Sequence, residues 1–127
     1  MSKETRNDRK IARSIDFISL HLSEPITMAQ LAERTGLSSS YFWALFKQKT
    51  GYAPIDFLIR LRMHHACQLL KSTDQPIHEI AAGLGYQDPL YFSRAFKSVL
   101  GVAPTHYRGA GLDTLPLPAV MVPELIK

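Results

Sequence analysis

Hydrophobic residues near the start of this chain recur at intervals of three and four positions, which is the period of an α-helix. The stripe consists of Ile11, Ile15, Ile18 and Leu22. Pro25 is predicted to end this helix, because the residue before a proline avoids helical backbone geometry. Residues 1–10 are rich in charge and show no periodicity, so they are predicted to form a flexible N-terminal arm.

Capping residues divide the next part of the chain into two short helices. Thr27 and Gln30 match a capping box, and Gly36 is placed as the glycine that ends the first of these helices. Ser38 is placed to cap the second one, which is predicted to end at Gly51.

A longer helix is predicted from Pro54 to about Ser72, since proline is favoured in the first helical turn. Its apolar residues cover more than one face, which is typical of a helix packed on two sides. A short helix then ends at Gly85, another begins at Pro89, and Pro104 opens the last helical turns. No segment alternates with a period of two, so the predicted fold class is all-α, with about seven helices.

One stretch of this sequence occurs twice. Residues 41–54 and 91–104 share Tyr, Phe, Phe, Lys, Gly, Ala and Pro at a constant offset of 50. Two copies are too few for a solenoid, which needs three or more repeats. A short helix, a tight turn and a second helix in each copy are typical of a helix-turn-helix.

The predicted domain is a tandem of two helix-turn-helix subdomains over residues 11–108, joined by a long central helix. Subdomain one covers 11–53, the linker helix covers 54–72, and subdomain two covers 73–108. Residues 109–127 form a tail whose Gly and Pro residues exclude a regular helix or a central strand. Docking of its leucines along the surface is the alternative to a mobile tail.

The second helix of each copy has one face for the core and an opposite face for solvent. The core is assigned Phe42, Phe46, Phe92 and Phe96. The residues assigned to DNA contact are Ser39, Ser40, Trp43, Ala44, Lys47, Pro89, Leu90, Ser93, Arg94 and Lys97. Such a helix can enter the major groove, where each base pair presents a distinct chemical pattern. Successive grooves lie about 34 Å apart, so a monomer is predicted to read an asymmetric double-stranded site of about two turns.

Charge and composition narrow the function. The formal net charge of +4 and the sequence pI of about 9.4 favour a polyanionic partner. The chain has a single cysteine and therefore no internal disulfide, which predicts a cytoplasmic protein, and no run approaches the roughly 18 apolar residues of a membrane span.

No arrangement of residues indicates catalysis or a cofactor. The sequence has no Ser-His-Asp set, no Gly-rich phosphate loop and no carboxylate pair of the kind that catalysis uses, so an enzyme is not predicted. His64, His65 and Cys67 are too few for the usual ligand set of a structural zinc and are predicted to be surface residues.

Three stretches of subdomain two resemble the DNA-binding domain of the AraC/XylS family of transcriptional regulators. They are Ile80-Ala81-Ala82-Gly83-Leu84-Gly85-Tyr86, Tyr91-Phe92-Ser93-Arg94-Ala95-Phe96-Lys97 and Gly101-Val102-Ala103-Pro104-Thr105-His106-Tyr107-Arg108. The resemblance runs from about Ile11 to Arg108, and the chain is similar in size to the small MarA/SoxS-type activators. It implies a promoter binder, usually an activator, that recruits RNA polymerase. Most family members carry a separate sensing or dimerising domain, so the resemblance implies a monomeric domain here, with any dimerisation through a missing domain.

The first recognition helix departs from the family pattern at two positions. Ala44 stands where the family often has Arg, and Trp43 where it often has a small polar residue. Without that guanidinium, Trp43 and Ala44 are expected to contact thymine methyl groups. The alternative for Trp43 is ordinary packing on Lys47 and Tyr52.

The other assignments also have alternatives. Arg94 matches the family's reading position and is expected to bond guanine O6 and N7, the alternative being a solvated or phosphate-paired guanidinium. Lys47 and Lys97 are expected to meet phosphates, which receive most protein–DNA hydrogen bonds. Leu90 is either a thymine-methyl contact or simply an exposed leucine. The weaker phosphate candidates are Arg60, Arg62 and Lys49. For the two arginines of that set, a structural ion pair is the alternative.

Two functions of different classes follow from these features. The first is a sequence-specific DNA-binding transcriptional regulator. The second is a helical protein-interaction module in which exposed Trp43 and Leu90 bind a protein and the basic charge is incidental. A regulator would select one duplex sequence and lose affinity steeply as salt rises, whereas an interaction module would show no preference among sequences.

Overall fold

Seven α-helices make up the part of the chain that the computed structural model describes, residues 3–109, with side chains described from residue 5 onward. They are α1 Lys3–Leu20, α2 Met28–Thr35, α3 Ser39–Thr50, α4 Pro54–Ser72, α5 Ile77–Gly83, α6 Pro89–Leu100 and α7 Pro104–Gly109. These residues contain no β-strand, so the all-α prediction is confirmed. Within the same range no helix is both long and apolar enough to cross a membrane. The predicted tail lies outside the described residues, apart from Gly109.

The predicted capping residues begin and end α2 and α3, whereas α5 ends at Gly83, two residues before the predicted Gly85. The Thr27 hydroxyl accepts a hydrogen bond from Gln30 N at 3.2 Å, and Gln30 Oε1 accepts one from Thr27 N at 3.0 Å. Ser38 Oγ accepts from the backbone N of Tyr41 at the start of α3. These bonds satisfy amide donors that have no partner within the helix. The central helix α4 has the predicted bounds.

The N-terminal arm predicted for residues 1–10 differs from the structure, in which α1 begins at Lys3. Asn7 is buried and its Nδ2 donates to the hydroxyl of Tyr41 on α3 at 3.2 Å. Asp8 Oδ1 lies 2.8 Å from Lys49 Nζ, near the other end of α3. These contacts attach the first turns of α1 to α3. The charged segment at the start of the chain is therefore helical although it shows no apolar stripe.

Two separate cores meet along α4. Core one is formed by α1 to α3 and the first half of α4, which contributes Phe57, Leu58 and Leu61. Core two is formed by α5 to α7 and the second half of α4, whose buried residues run from Met63 to Leu70. A helix that is apolar on two sides is thus buried on both, as its sequence predicted. We call the elements around core one module one and the elements around core two module two.

The two modules also touch beside α4. Arg62 lies between the two cores and bonds to the segment that joins α1 to α2. Gly85, at the turn between α5 and α6, has a φ of +92° and lies against the backbone of Ser23 in that same segment. We call this region the inter-module contact; it consists of Arg62, Ser23, Gly85 and Tyr86.

Candidate nucleic-acid interface

The outer face of α3 is exposed, while its inner face is buried in core one. Phe42 and Phe46 are fully buried, whereas 42% of the surface of Trp43 remains accessible. The α3 face consists of Ser39, Ser40, Trp43, Ala44 and Lys47, all of which are exposed. The helical period separates the two faces, because the apolar residues recur at three- and four-residue steps.

The outer face of α6 has the same organisation. Asp88 Oδ1 accepts from Leu90 N at 2.9 Å and caps the helix, so Pro89 occupies its first turn. Phe92 and Phe96 are buried, and Leu90 is 67% exposed. The α6 face consists of Pro89, Leu90, Ser93, Arg94 and Lys97, of which Ser93 is half-buried and the others exposed.

The cationic groups on these faces are available to a ligand. Arg94 and Lys97 form no hydrogen bond and no ion pair with another described residue. The Lys47 ammonium lies 5.0 Å from the centroid of the Trp43 ring, a cation–π distance. This is one of the two packing partners that the sequence offered Trp43. Tyr52, the other partner offered, lies beside Arg60, whose guanidinium carbon is 5.1 Å from its ring centroid.

The three weaker phosphate candidates are held within the protein. Arg60 Nε donates to the Asp56 carboxylate at 3.2 Å, which is the structural ion pair given as its alternative. Lys49 is paired with Asp8. Arg62 donates to two backbone carbonyls rather than to a carboxylate. All three are thus engaged within the protein in the absence of DNA, and their phosphate contacts stay predictions.

The prediction that His64, His65 and Cys67 lie on the surface is wrong for Cys67, which is fully buried in core two. His64 Nδ1 is also buried and has no hydrogen-bond partner among the described residues. Burial lowers the pKa of both histidines, and the neighbouring His65 lowers that of His64 further. Module two covers α4 on the side that carries Cys67, which is why this thiol is buried.

Cys67 is expected to resist thiol reagents in the folded protein. Burial raises the pKa of its thiol to about 11, and the thiolate is the reactive form. At pH 8 only about one thiol in a thousand would be ionised even if it were reachable. Modification by a coloured disulfide reagent should be slow in the native protein and complete within minutes once urea unfolds it. Rapid stoichiometric modification without denaturant would contradict this prediction.

A basic face on α1 was missed by the sequence reasoning. Arg6, Arg9, Lys10 and Arg13 recur at three- and four-residue steps on the side of α1 opposite the apolar stripe. A groove of about 150 Å³ between α1 and α2 is lined by Lys10, Arg13, Ser14, Arg34 and Thr35, with no acidic residue among them. The helical spacing of these cationic residues was the available signal, but Arg6, Arg9 and Lys10 fall within the stretch predicted to be an arm.

Comparisons with known proteins agree with this architecture. Residues 31–110 match a family described as "Helix-turn-helix domain". The chain is 39% identical over 88 residues to the MmsAB operon regulatory protein of Pseudomonas aeruginosa, covering 69% of this chain and 29% of that protein. It is 35% identical over 98 residues to the lactose operon transcription activator of Staphylococcus xylosus, covering 77% of this chain and 35% of that one. The chain therefore spans about a third of the length of these relatives.

A solved structure gives the same fold. The DNA-binding domain of AdpA, a global transcriptional factor, was solved in complex with a target DNA. It is 30% identical to this chain, with a TM-score of 0.75, and the match covers 85% of this chain and 97% of that domain. The similarity thus includes both modules and the helix between them.

Proposed function

We propose, because this chain belongs to the AraC-type family of helix-turn-helix proteins, that it binds double-stranded DNA at selected sequences and regulates transcription. The observation that carries the proposal is the repeated surface. Two helices, α3 and α6, each bury two phenylalanines and expose the opposite face at equivalent positions. In a helix-turn-helix this second helix is the one that lies in the major groove.

The two faces would enter adjacent major grooves on one side of the duplex. Both modules belong to one chain, so the site needs no palindromic symmetry and one monomer can occupy it. Helix α4 has 19 residues and a length of about 28 Å at 1.5 Å per residue. That length is comparable to the spacing of about 34 Å between successive grooves, which supports a site of about two turns.

Affinity and sequence choice would come from different side chains. Lys47 and Lys97 would neutralise phosphates, and this part of the binding is insensitive to sequence. Arg94 would read guanine through two parallel hydrogen bonds, since its guanidinium has no competing partner among the described residues. Trp43, Ala44 and Leu90 would contact thymine methyl groups.

Activation and RNA polymerase recruitment extend this proposal. They are supported by the name of the Staphylococcus xylosus relative, a transcription activator, and by what the family resemblance implies. The protein would then work in the bacterial cytoplasm, on the nucleoid. A domain for dimerisation or for sensing a ligand would belong to parts of a longer protein.

Selection of bound duplexes from a random pool tests the proposal. We expect one enriched asymmetric sequence of about two turns. The logarithm of the association constant for that sequence should fall linearly with the logarithm of the salt concentration. The slope should be about −0.9 for each phosphate neutralised. An unenriched pool would favour the protein-interaction module instead.

Trp43→Ala should abolish the contribution of one thymine methyl group to binding. Uracil in place of thymine removes only this methyl group, so wild-type protein should lose about three- to fivefold in affinity at the contacted position, as expected for one buried CH₂-sized group. The variant should bind the thymine and uracil duplexes equally. Fluorescence anisotropy on the selected duplex, with each thymine replaced in turn, measures both. If the variant still distinguishes thymine from uracil at every position where wild type does, Trp43 belongs to the protein's own packing with Lys47.

A further inference from the structure

The inter-module contact joins the two modules at a second place, beside the continuous helix α4. Resting on the proposed function, we propose that Arg62 and Gly85 are positioning residues that determine how many base pairs must separate the two halves of the DNA site. Neither residue lies on the α3 or α6 face, so their effect on binding would pass through the arrangement of the modules.

Arg62 binds module one through a two-pronged contact. Its Nε donates to the carbonyl of Leu22 at 2.7 Å, and its Nη2 donates to the carbonyl of Glu24 at 2.8 Å. Both distances are short, as expected when a charged donor is involved. The rigid planar guanidinium therefore fixes the α1–α2 segment against α4 at the point where the two cores divide.

The same guanidinium also reaches module two. Its central carbon lies 5.5 Å from the centroid of the Tyr86 ring, at the turn before α6. Arg62 is consequently shared between the segment that precedes α2 and the turn that precedes α6. The first of those segments leads into the helix-turn-helix of module one, and the second is the turn within the helix-turn-helix of module two.

Gly85 permits a close approach of the two modules. A Cβ atom at this position would lie 2.6 Å from the carbonyl oxygen of Ser23 and 3.0 Å from its carbonyl carbon. These are backbone atoms, which cannot move aside as the end of a flexible side chain can. The missing side chain thus allows direct contact between the α5–α6 turn and the α1–α2 segment.

This geometry matters because DNA is helical. Adding one base pair between two half-sites moves them about 3.4 Å apart and rotates them by about 35°. A flexible connection would absorb that change, whereas a rigid one would not. The two modules are joined by α4 and also by the inter-module contact. Two attachments resist a rotation of one module against the other that a single helix would permit.

The test uses the selected duplex and versions with one or two base pairs inserted or deleted between its halves. Wild-type protein should bind the altered spacings far more weakly than the selected one. Arg62→Ala should reduce that spacing penalty by about tenfold, within the range typical of coupling between two sites. Arg62→Lys, which offers one point charge in place of a fork, should give an intermediate penalty.

Arg108 provides a matched control. Its guanidinium donates to the carbonyls of Leu70, Thr73 and Gln75, at 3.3, 3.1 and 2.7 Å. These bonds resemble those of Arg62 but lie within module two and the end of α4. Arg108→Ala should weaken binding to all spacings alike and leave the spacing penalty unchanged. An equal penalty in wild type and both alanine variants would overturn the proposal.

A second measurement needs no DNA and separates this proposal from the proposed function. Spin labels on cysteines introduced at the exposed positions Gln48 and Ser98 report the separation of α3 and α6, while Cys67 remains buried. Arg62→Ala should broaden the distance distribution relative to wild type and to Arg108→Ala. If Arg62→Ala fails to fold, the same comparison is made with Arg62→Lys. Equal widths would overturn the positioning role even if specific DNA binding is found, and a broadened distribution would support it even if such binding is absent.

Discussion

Gly85→Ala is expected to lower the free energy of unfolding by about 3 kcal/mol, the sum of a left-handed backbone penalty and an overpacking penalty. The first penalty arises because Gly85 has a φ of +92°, where a Cβ atom meets its own backbone. The second arises because that Cβ would lie 2.6 Å from the carbonyl oxygen of Ser23. Urea denaturation followed by circular dichroism measures the loss.

Gly101 is the matched control for this substitution. Its φ of +84° is nearly the same, and a Cβ there would meet nothing within 4 Å. Gly101→Ala should therefore cost only the backbone penalty of about 1 kcal/mol. The difference between the two variants isolates the contact with Ser23. Equal losses would mean that the α1–α2 segment moves away from the turn at little cost.

Arg94→Ala should cost about 1–3 kcal/mol of discrimination at a single base pair, as expected when one bidentate base contact is lost. The guanidinium is exposed on α6 and has no protein partner among the described residues, so its removal leaves no buried group unsatisfied. Folding should be nearly unaffected. Binding to duplexes that carry each of the four base pairs at every position of the selected site gives the measurement.

Lys97→Ala serves as the comparison for Arg94→Ala. Lys97 is exposed one helical turn further along α6 and is also unpaired among the described residues. As a phosphate ligand it should weaken binding to all sequences equally and lower the salt slope by about one. Uniform weakening by Arg94→Ala as well would remove its role in reading a base. Arg94→Lys should recover affinity but not discrimination, because an ammonium lacks the planar fork.

Local signals in the sequence were sufficient for most of the fold. Each helix boundary that was predicted depends on a residue whose own chemistry acts on its neighbours, such as the Thr27 hydroxyl or the proline at position 54. The repeat at an offset of 50 revealed the second module, because both copies bury the same aromatic residues. The exposed faces of α3 and α6 followed from the helical period alone.

What the sequence did not reveal depends on contacts between distant segments. The helical start of α1 is stabilised by the contacts that its residues Asn7 and Asp8 make with α3, and neither residue gives a periodic signal. The burial of Cys67 depends on which side of α4 module two covers. The role of Arg62 depends on two carbonyls about forty positions earlier in the chain, and backbone carbonyls are the same at every residue. Whether any exposed residue touches DNA is a property of a complex, so those assignments stay predictions.

The division into two cores has a consequence for how such a protein changes over generations. Among the described residues, no buried side chain of core one belongs to core two, so a substitution on the α3 face leaves the packing around α6 intact. Under the proposed function, a lineage would then be able to acquire a new preference for one half of its DNA site while the other half still anchors the protein. Sequence recognition would thus change in two smaller steps, neither of which requires binding to be lost in between.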